Sequence, residues 1–129
     1  MNRAYGRLKR LDDAVADYGR AIELDQNYAD AYNGRAWSYC KIGKFEEALV
    51  DIDKALELKP NEANYFDTRA DAYIGLKRYE EALADLNKAV KLSPEGWLFN
   101  RRGEIYRLMG EEAKAAADFA KAKKLGFNN

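Results

Sequence analysis

Histidine is absent from this chain of 129 residues, and cysteine occurs once, at Cys40. Histidine is the usual general base of enzymes and a common metal ligand, so its absence argues against acid–base catalysis and against most metal sites. A single cysteine cannot form an internal disulfide bond, which fits a reducing compartment. Proline occurs only at Pro60 and Pro94, so long helices are allowed. We therefore predict no catalytic residue, no metal site and no cofactor.

An excess of charge of either sign is also missing, because 22 Lys and Arg balance 22 Asp and Glu. Nucleic acids and anionic membrane surfaces attract proteins with a basic excess, so neither is a predicted partner. No run of residues approaches the ~18 apolar residues of a membrane-spanning helix. The segment from Met1 to Arg7 lacks the apolar stretch of a secretory signal. These features favour a cytoplasmic location.

The dominant feature of the chain is an internal repeat. Offsets of 34, 34 and 33 residues separate four copies of a pattern of aromatic and small residues. One column of the pattern is tyrosine, and two others are alanine. The columns are Tyr5, Tyr39, Tyr73 and Tyr106; Ala14, Ala48, Ala82 and Ala115; and Ala21, Ala55, Ala89 and Ala122. Columns that stay in step across four copies indicate a tandem array.

Each copy is predicted to form two helices. In the second copy, apolar residues from Tyr32 to Tyr39 have the spacing of a stripe along one helix. Gly43 is suited to end that helix, because glycine adopts the left-handed conformation of a C-cap without strain. A second stripe runs from Phe45 to Leu56 and stops before a proline. One such pair buries too little apolar surface to be stable alone, so neighbouring copies are expected to stack.

These copies resemble the tetratricopeptide repeat, a family with a period of about 34 residues. The second copy carries the family pattern as Tyr32, Ala36, Tyr39, Gly43, Ala48, Ile52, Ala55 and Pro60. The third carries it as Phe66, Ala70, Tyr73, Ala82, Leu86, Ala89 and Pro94, with Lys77 in place of the turn glycine. The fourth carries Phe99, Gly103, Tyr106, Gly110, Ala115, Phe119 and Ala122, without the proline. The resemblance implies an all-α fold, an α-solenoid of stacked antiparallel helix pairs that forms a right-handed superhelix, with the first helix of each pair lining a concave face.

The copies predict a single tetratricopeptide repeat domain over residues 1–129. Its parts are a partial first repeat (1–28), a second repeat (29–62), a third (63–95) and a fourth, capping repeat (96–129). The first copy starts late, because Tyr5 corresponds to Tyr39, and its first helix is expected to keep barely two turns. Either the array is cut from a longer protein or this helix is naturally short. Glu112 and Lys123 occupy positions that are apolar in other copies, as the outer face of a capping repeat requires.

Arginine and aspartate recur with the same period. The arginines are Arg35, Arg69 and Arg102, and the aspartates are Asp17, Asp51, Asp85 and Asp118. Opposite charges that follow the period of the fold predict ion pairs between helices, either within a repeat or between one repeat and the next. Because the pattern follows the fold, we interpret these pairs as structural.

Function is expected on the concave face that the resemblance implies. If Tyr32 and Tyr39 face the core, the polar and tryptophan side chains on the other side of each first helix face the groove. Amide groups can bond to both N–H and C=O groups of an extended peptide, and Trp37 offers a rigid apolar anchor. Trp97 has an equally good alternative, packing near Pro94. The predicted partner-binding residues are Arg3, Arg7, Asp30, Asn33, Trp37, Lys41, Asn64, Asp67, Thr68, Asp71, Trp97, Asn100, Arg101 and Glu104.

One binding activity of the family can be compared position by position. Co-chaperone tetratricopeptide domains hold the C-terminal carboxylate of a heat-shock chaperone with two Lys, two Asn and one Arg. Here Arg101 matches the Arg, but Asn33, Trp37, Thr68 and Trp97 replace the other four. The sequence therefore does not predict that activity.

The predicted function is a protein–protein interaction scaffold that binds a peptide or protein partner in the groove and is not an enzyme. Two alternatives remain open. One is a structural module that forms a homo-oligomer through the truncated first repeat. The other is a tether for an enzyme domain outside this chain.

Overall fold

A computed structural model describes the backbone of residues 3–128 and the side chains of residues 6–128. Over this range the chain is built from seven α-helices and contains no strand. The helices are α1 (Arg3–Leu24), α2 (Ala29–Ile42), α3 (Phe45–Leu58), α4 (Ala63–Gly75), α5 (Tyr79–Leu92), α6 (Gly96–Leu108) and α7 (Glu112–Lys124). The predicted all-α helical-repeat class is confirmed.

The chain divides into two compact units, residues 1–60 and residues 61–129. In the first unit, α2 packs against both α1 and α3. In the second unit, α4 packs against α5 and α6 against α7, while α6 also contacts α5 and α4. The first helices α4 and α6 therefore lie close enough for their side chains to interact.

The turns between paired helices share one geometry. Just after each first helix one residue has a positive φ, of 97° at Gly43, which directly follows α2, and of 62° at Lys77 and 79° at Gly110, which lie two residues after α4 and α6. In each turn the N–H of the next residue donates to the carbonyl of the tyrosine column five residues earlier, at 2.8 or 2.9 Å. This is the hydrogen bond that closes a Schellman motif at a helix C-terminus. The prediction that Gly43 ends its helix is confirmed, and Lys77 adopts the same conformation without being glycine.

The first copy differs from its prediction, because one continuous helix replaces the expected pair. The 22-residue helix α1 passes through Lys9, which corresponds to Gly43 in the second copy, without a turn. Lysine alone does not explain this, since Lys77 does turn the chain in the third copy. The segment before Lys9 is too short to bury a useful apolar surface as a separate helix, so nothing offsets the helical hydrogen bonds that a turn would break.

The core of each unit combines small residues with a few large ones. Alanine columns are fully buried in the second to fourth copies, and their short side chains let paired helices approach closely. The largest fully buried apolar side chains are Ile52 in the first unit and Tyr65, Leu86, Leu98 and Ile105 in the second.

None of the seven helices in the described range is both long enough and apolar enough to span a bilayer.

Candidate functional site

The arginine and aspartate columns form bidentate ion pairs between the two helices of a repeat. Arg35 Nε and Nη2 donate to the carboxylate of Asp51, both at 2.7 Å. Arg69 donates to Asp85 from Nη2 at 2.8 Å and from Nε at 3.0 Å. The pairing is therefore within a repeat and not between successive repeats.

The fourth copy repeats this arrangement. Arg102 Nε and Nη2 donate to Asp118, both at 2.8 Å, and Arg102 Nη1 adds a bond to Asn87 Oδ1 at 3.2 Å. Asp17, the remaining aspartate of the column, instead pairs with Arg20 one turn later on the exposed side of α1. These contacts agree with the structural role that we predict for the two columns.

Two aromatic rings flank Arg69 and two flank Arg102 of the arginine column. The guanidinium carbon of Arg69 lies 5.6 Å from the centre of the Phe66 ring and 5.9 Å from that of Tyr73. The corresponding distances for Arg102 are 5.3 and 5.9 Å, to the rings at positions 99 and 106. A cation stacked on aromatic faces keeps a favourable environment when it is partly buried. The hydrogen bond to Asp118 raises the pKa of Arg102 above its ordinary value.

In the first unit, the predicted binding residues of α2 fall on one helical face. The indole of Trp37 is 47% exposed, and Lys41 Nζ lies 5.2 Å from its ring centre. Asn33, one turn before Trp37, has a buried Oδ1 with no hydrogen-bond partner among the described residues. Asp30 is exposed at the start of the helix. A large exposed apolar ring beside a cation and an amide can contact a peptide side chain and backbone.

The two predicted binding residues of the first repeat are Arg3 and Arg7. Arg7 is exposed on α1. The side chain of Arg3 lies outside the described residues.

In the second unit, the predicted binding residues of α4 differ widely in exposure. Asn64 is exposed, whereas Asp67 and Asp71 are half-buried. Thr68 is buried, and its Oγ1 donates to the carbonyl of Asn64 at 3.1 Å. Thr68 therefore offers little surface to a partner.

On α6, the predicted residues surround a single arginine. Arg101 Nε donates to Asp67 Oδ1 at 2.9 Å, and Nη2 donates to Asp71 Oδ1. The third nitrogen, Nη1, lies 3.4 Å from Glu104 Oε1 on the same helix. Asn100, beside Arg101, is half-buried. All three guanidinium nitrogens are thus engaged by carboxylates.

Sequence reasoning placed these four charged residues on one face but missed their pairing. The available signal was the opposite charge of Asp67 and Arg101 at adjacent columns of successive first helices. The pair occurs in one position only, so no periodic pattern in the sequence predicts it.

The Arg101 contacts alter the pKa values of the groups involved. Burial raises the pKa of Asp67 above its ordinary value, and the nearby Arg101 only partly opposes that effect. Burial alone would lower the pKa of Arg101, but the charges of Asp67 and Asp71 raise it. Arg101 therefore stays charged, while Asp67 is a carboxylate held in a poorly solvated position.

Two cavities open beside Trp97. One, of about 300 Å³, lies between the N-terminal ends of α4 and α6 and is lined by Asn64, Ser93 and Trp97 among others. The second, of about 420 Å³, includes Pro94 and Phe127. Trp97 is half-buried and borders both cavities, one shared with Pro94 and the other with Asn64.

Within the described part of the chain, no three Cys, Asp or Glu side chains are grouped in a way that would hold a metal ion.

The sequence matches the tetratricopeptide repeat family in three overlapping or adjoining segments. Residues 29–62 and 63–95 each match as a tetratricopeptide repeat, and residues 3–43 match as a TPR repeat. No curated protein sequence matches this chain.

Solved structures of tetratricopeptide repeat proteins resemble most of the chain. TTC0263, a thermophilic TPR protein of Thermus thermophilus, is 26% identical with a TM-score of 0.84, covering 96% of this chain and 70% of its own. Residues 41 to the end of MamA from Desulfovibrio magneticus RS-1 are 24% identical with a TM-score of 0.82, covering 95% and 70%. YrrB, described as a TPR protein with an unusual peptide-binding site, is 26% identical with a TM-score of 0.75, covering 84% of this chain and 57% of its own.

The repeat matches together extend from residue 3 to residue 95, and the helices of the fourth copy repeat the same pairing up to Lys124. By sequence and by fold, this chain belongs to the tetratricopeptide repeat family, whose helix pairs serve as scaffolds for protein interactions.

Proposed function

We propose that the chain binds an extended peptide or protein segment along the exposed faces of its first helices, the groove that the repeat family implies. The observation that carries the proposal is Trp37, a tryptophan 47% exposed on the first helix of the second repeat. Exposing a large apolar ring to water is less favourable than burying it. Contact with a partner side chain would bury the ring and so stabilise the complex.

The surroundings of Trp37 support the same proposal. Lys41 lies over the ring, and Asn33 carries a buried oxygen that lacks a hydrogen-bond donor among the described residues. A peptide N–H group can donate a hydrogen bond to a side-chain amide oxygen, so a bound peptide backbone is a suitable partner for Asn33 Oδ1. YrrB, a protein of the same fold, is described as having a peptide-binding site.

The proposal assigns the chain no enzymatic activity and no cofactor. It places the chain in the cytoplasm, where the single cysteine of such an adaptor remains reduced.

The experiment is a selection of peptides from a random displayed library on the immobilised chain, followed by calorimetry with the retained peptides. We expect Trp37→Ala to weaken their binding by about 2 kcal/mol, a factor of about 30, as for other central tryptophan anchors. Val50→Ala is the matched control, since Val50 is 71% exposed on a second helix. Retention of no peptide, or equal binding by both variants and the parent chain, would count against the proposal.

Light scattering on the same sample tests self-association. A molar mass above that of one chain, lost in variants of α1, would favour the homo-oligomer over a peptide partner.

A further inference from the structure

The Arg101 surface consists of Asp67, Asp71, Arg101 and Glu104, together with Asn64, Asn100 and Trp97 beside them. Three carboxylates here face one guanidinium, which leaves two negative charges in excess. The second unit as a whole has 12 basic and 11 acidic residues. The negative charge of this surface is therefore a local feature and not a reflection of the unit's composition.

Arg101 is not available to an anionic partner. Its Nε and Nη2 donate to Asp67 and Asp71, and its Nη1 lies near Glu104. A ligand carboxylate or phosphate would have to displace an internal carboxylate, and that carboxylate would then remain half-buried without its partner. The Arg101 surface consequently disfavours acidic ligands, although it contains an arginine on the predicted groove.

The carboxylates themselves are incompletely compensated. The side chains of Asp67 and Asp71 are 16% and 20% exposed, so water solvates them poorly. Burial raises the pKa of Asp67, and the neighbouring charges of Asp71 and Glu104 add to that effect. A cation placed at the rim, near the 47%-exposed Glu104, would offset this repulsion.

The surface also has room for the rest of a peptide. The cavity of about 300 Å³ begins one helical turn before Asp67 and Arg101, where it is lined by Asn64 and Trp97. The indole face of Trp97 can pack against an aliphatic side chain or stack with a cationic one. The amides of Asn64 and Asn100 suit a peptide backbone. The cavity beside Trp97 and the charged side chains around Arg101 therefore lie next to each other along α4 and α6.

We propose that the Arg101 surface binds a peptide segment that carries lysine or arginine, with the cationic group at Asp71 and Glu104 and the adjoining residue in the cavity beside Trp97. The inference rests on the proposed function and specifies the chemistry of its partner.

The experiment measures fluorescence anisotropy of labelled peptides with the full chain. Three probes of equal length alternate alanine with lysine, with glutamate or with glutamine. We expect the lysine peptide to bind about tenfold more tightly than the other two, and we expect added salt to weaken its binding. Asp71→Asn combined with Glu104→Gln should remove that preference.

The matched control is Glu80→Gln combined with Glu112→Gln, which removes the same charge from exposed positions on second helices. It should keep the preference for lysine. Glu104→Gln alone serves as a second variant, because Glu104 is exposed and its loss leaves the contacts of Arg101 with Asp67 and Asp71 in place. Circular dichroism verifies that each variant is folded.

Tighter binding of the glutamate peptide, or an equal loss in the control, overturns the inference. The library selection described above separates the two proposals. Peptides that depend on Trp37 but show no excess of Lys or Arg, and no sensitivity to Glu104→Gln, leave the proposed function standing and refute the cationic specificity. Selection of no peptide, with no binding of the lysine probe, refutes both.

Discussion

The guanidinium of Arg35 meets the carboxylate of Asp51 side-on, with N–H···O bonds of 2.7 Å from both Nε and Nη2 across the second helix pair. The Asp51 side chain is 5% exposed, so it depends on Arg35 for compensation of its charge. We expect Arg35→Ala to lower the free energy of unfolding by about 3 kcal/mol, because it leaves a buried carboxylate unpaired. Urea denaturation followed by circular dichroism measures the change.

Arg20→Ala is the control for this prediction. Arg20 pairs with Asp17, and both side chains are 67% exposed, so the loss should be below about 1 kcal/mol. Equal midpoints for Arg35→Ala and the parent chain would show that the column does not contribute to stability.

A second prediction concerns Lys77, which has a φ of 62° where the other helix pairs have glycine. The left-handed conformation costs a residue with a Cβ about 1–2 kcal/mol. Glycine avoids this strain but gains about 0.4–1 kcal/mol of freedom in the unfolded chain. Lys77→Gly should therefore raise the stability of the chain by up to about 1.6 kcal/mol, and thermal unfolding measures the difference.

Gly43→Ala is the opposite change at the corresponding turn of the second copy. Space is not limiting there, since nothing lies within 4 Å of an added Cβ. A loss of stability at this position would therefore report the left-handed backbone. If Lys77→Gly and Gly43→Ala both leave the melting temperature unchanged, strain in these turns is not a determinant of stability.

The contact between Gly34 and Tyr18 leads to a third prediction. A Cβ at Gly34 would overlap the Tyr18 ring, with Tyr18 Oη only 2.8 Å away. Gly34→Ala should destabilise the chain by about 1 kcal/mol, because displacement of the ring outweighs the better helix propensity of alanine. The change is measured by urea denaturation.

Gly19→Ala is the matched control, because an added Cβ there meets only Arg35 Nη1 at 3.6 Å, an ordinary contact. It should stabilise α1 by up to about 1 kcal/mol. In a Tyr18→Leu background the penalty of Gly34→Ala should disappear. Persistence of the penalty in that background would mean that Tyr18 is not its cause.

Periodic features were predictable from the sequence, whereas features that occur once were not. Gly43 and the paired Arg and Asp columns repeat with the helix pairs, so their roles follow from position alone. The formation of α1 as one continuous helix depends on how much apolar surface the short segment before Lys9 can bury. The residue type at the turn position does not show this. The Arg101 contacts depend on the approach of α4 and α6, and Asp67 and Arg101 are not repeated elsewhere in the chain.

The fourth prediction uses the pKa of Asp67, which burial raises above its ordinary value of about 3.9. In the folded chain Asp67 keeps its proton to a higher pH than it does in the unfolded chain. The stability that it contributes is therefore complete below about pH 3.9 and is lost as the pH rises through its raised pKa. Asp67→Asn cannot ionise, so its free energy of unfolding should fall less over this interval than that of the parent chain. Nuclear magnetic resonance titration of the side-chain carboxyl carbon locates the pKa directly.

Glu81 provides the internal contrast for this measurement. A hydrogen bond from Arg78 lowers the pKa of Glu81, so its contribution is present above the ordinary pKa and is lost as the pH falls through the lowered one. Glu81→Gln should change the pH profile in the opposite sense to Asp67→Asn. A titration in which Asp67 ionises at or below its ordinary pKa would mean that Arg101 compensates it fully. The uncompensated charge that we invoke for a cationic partner would then be absent.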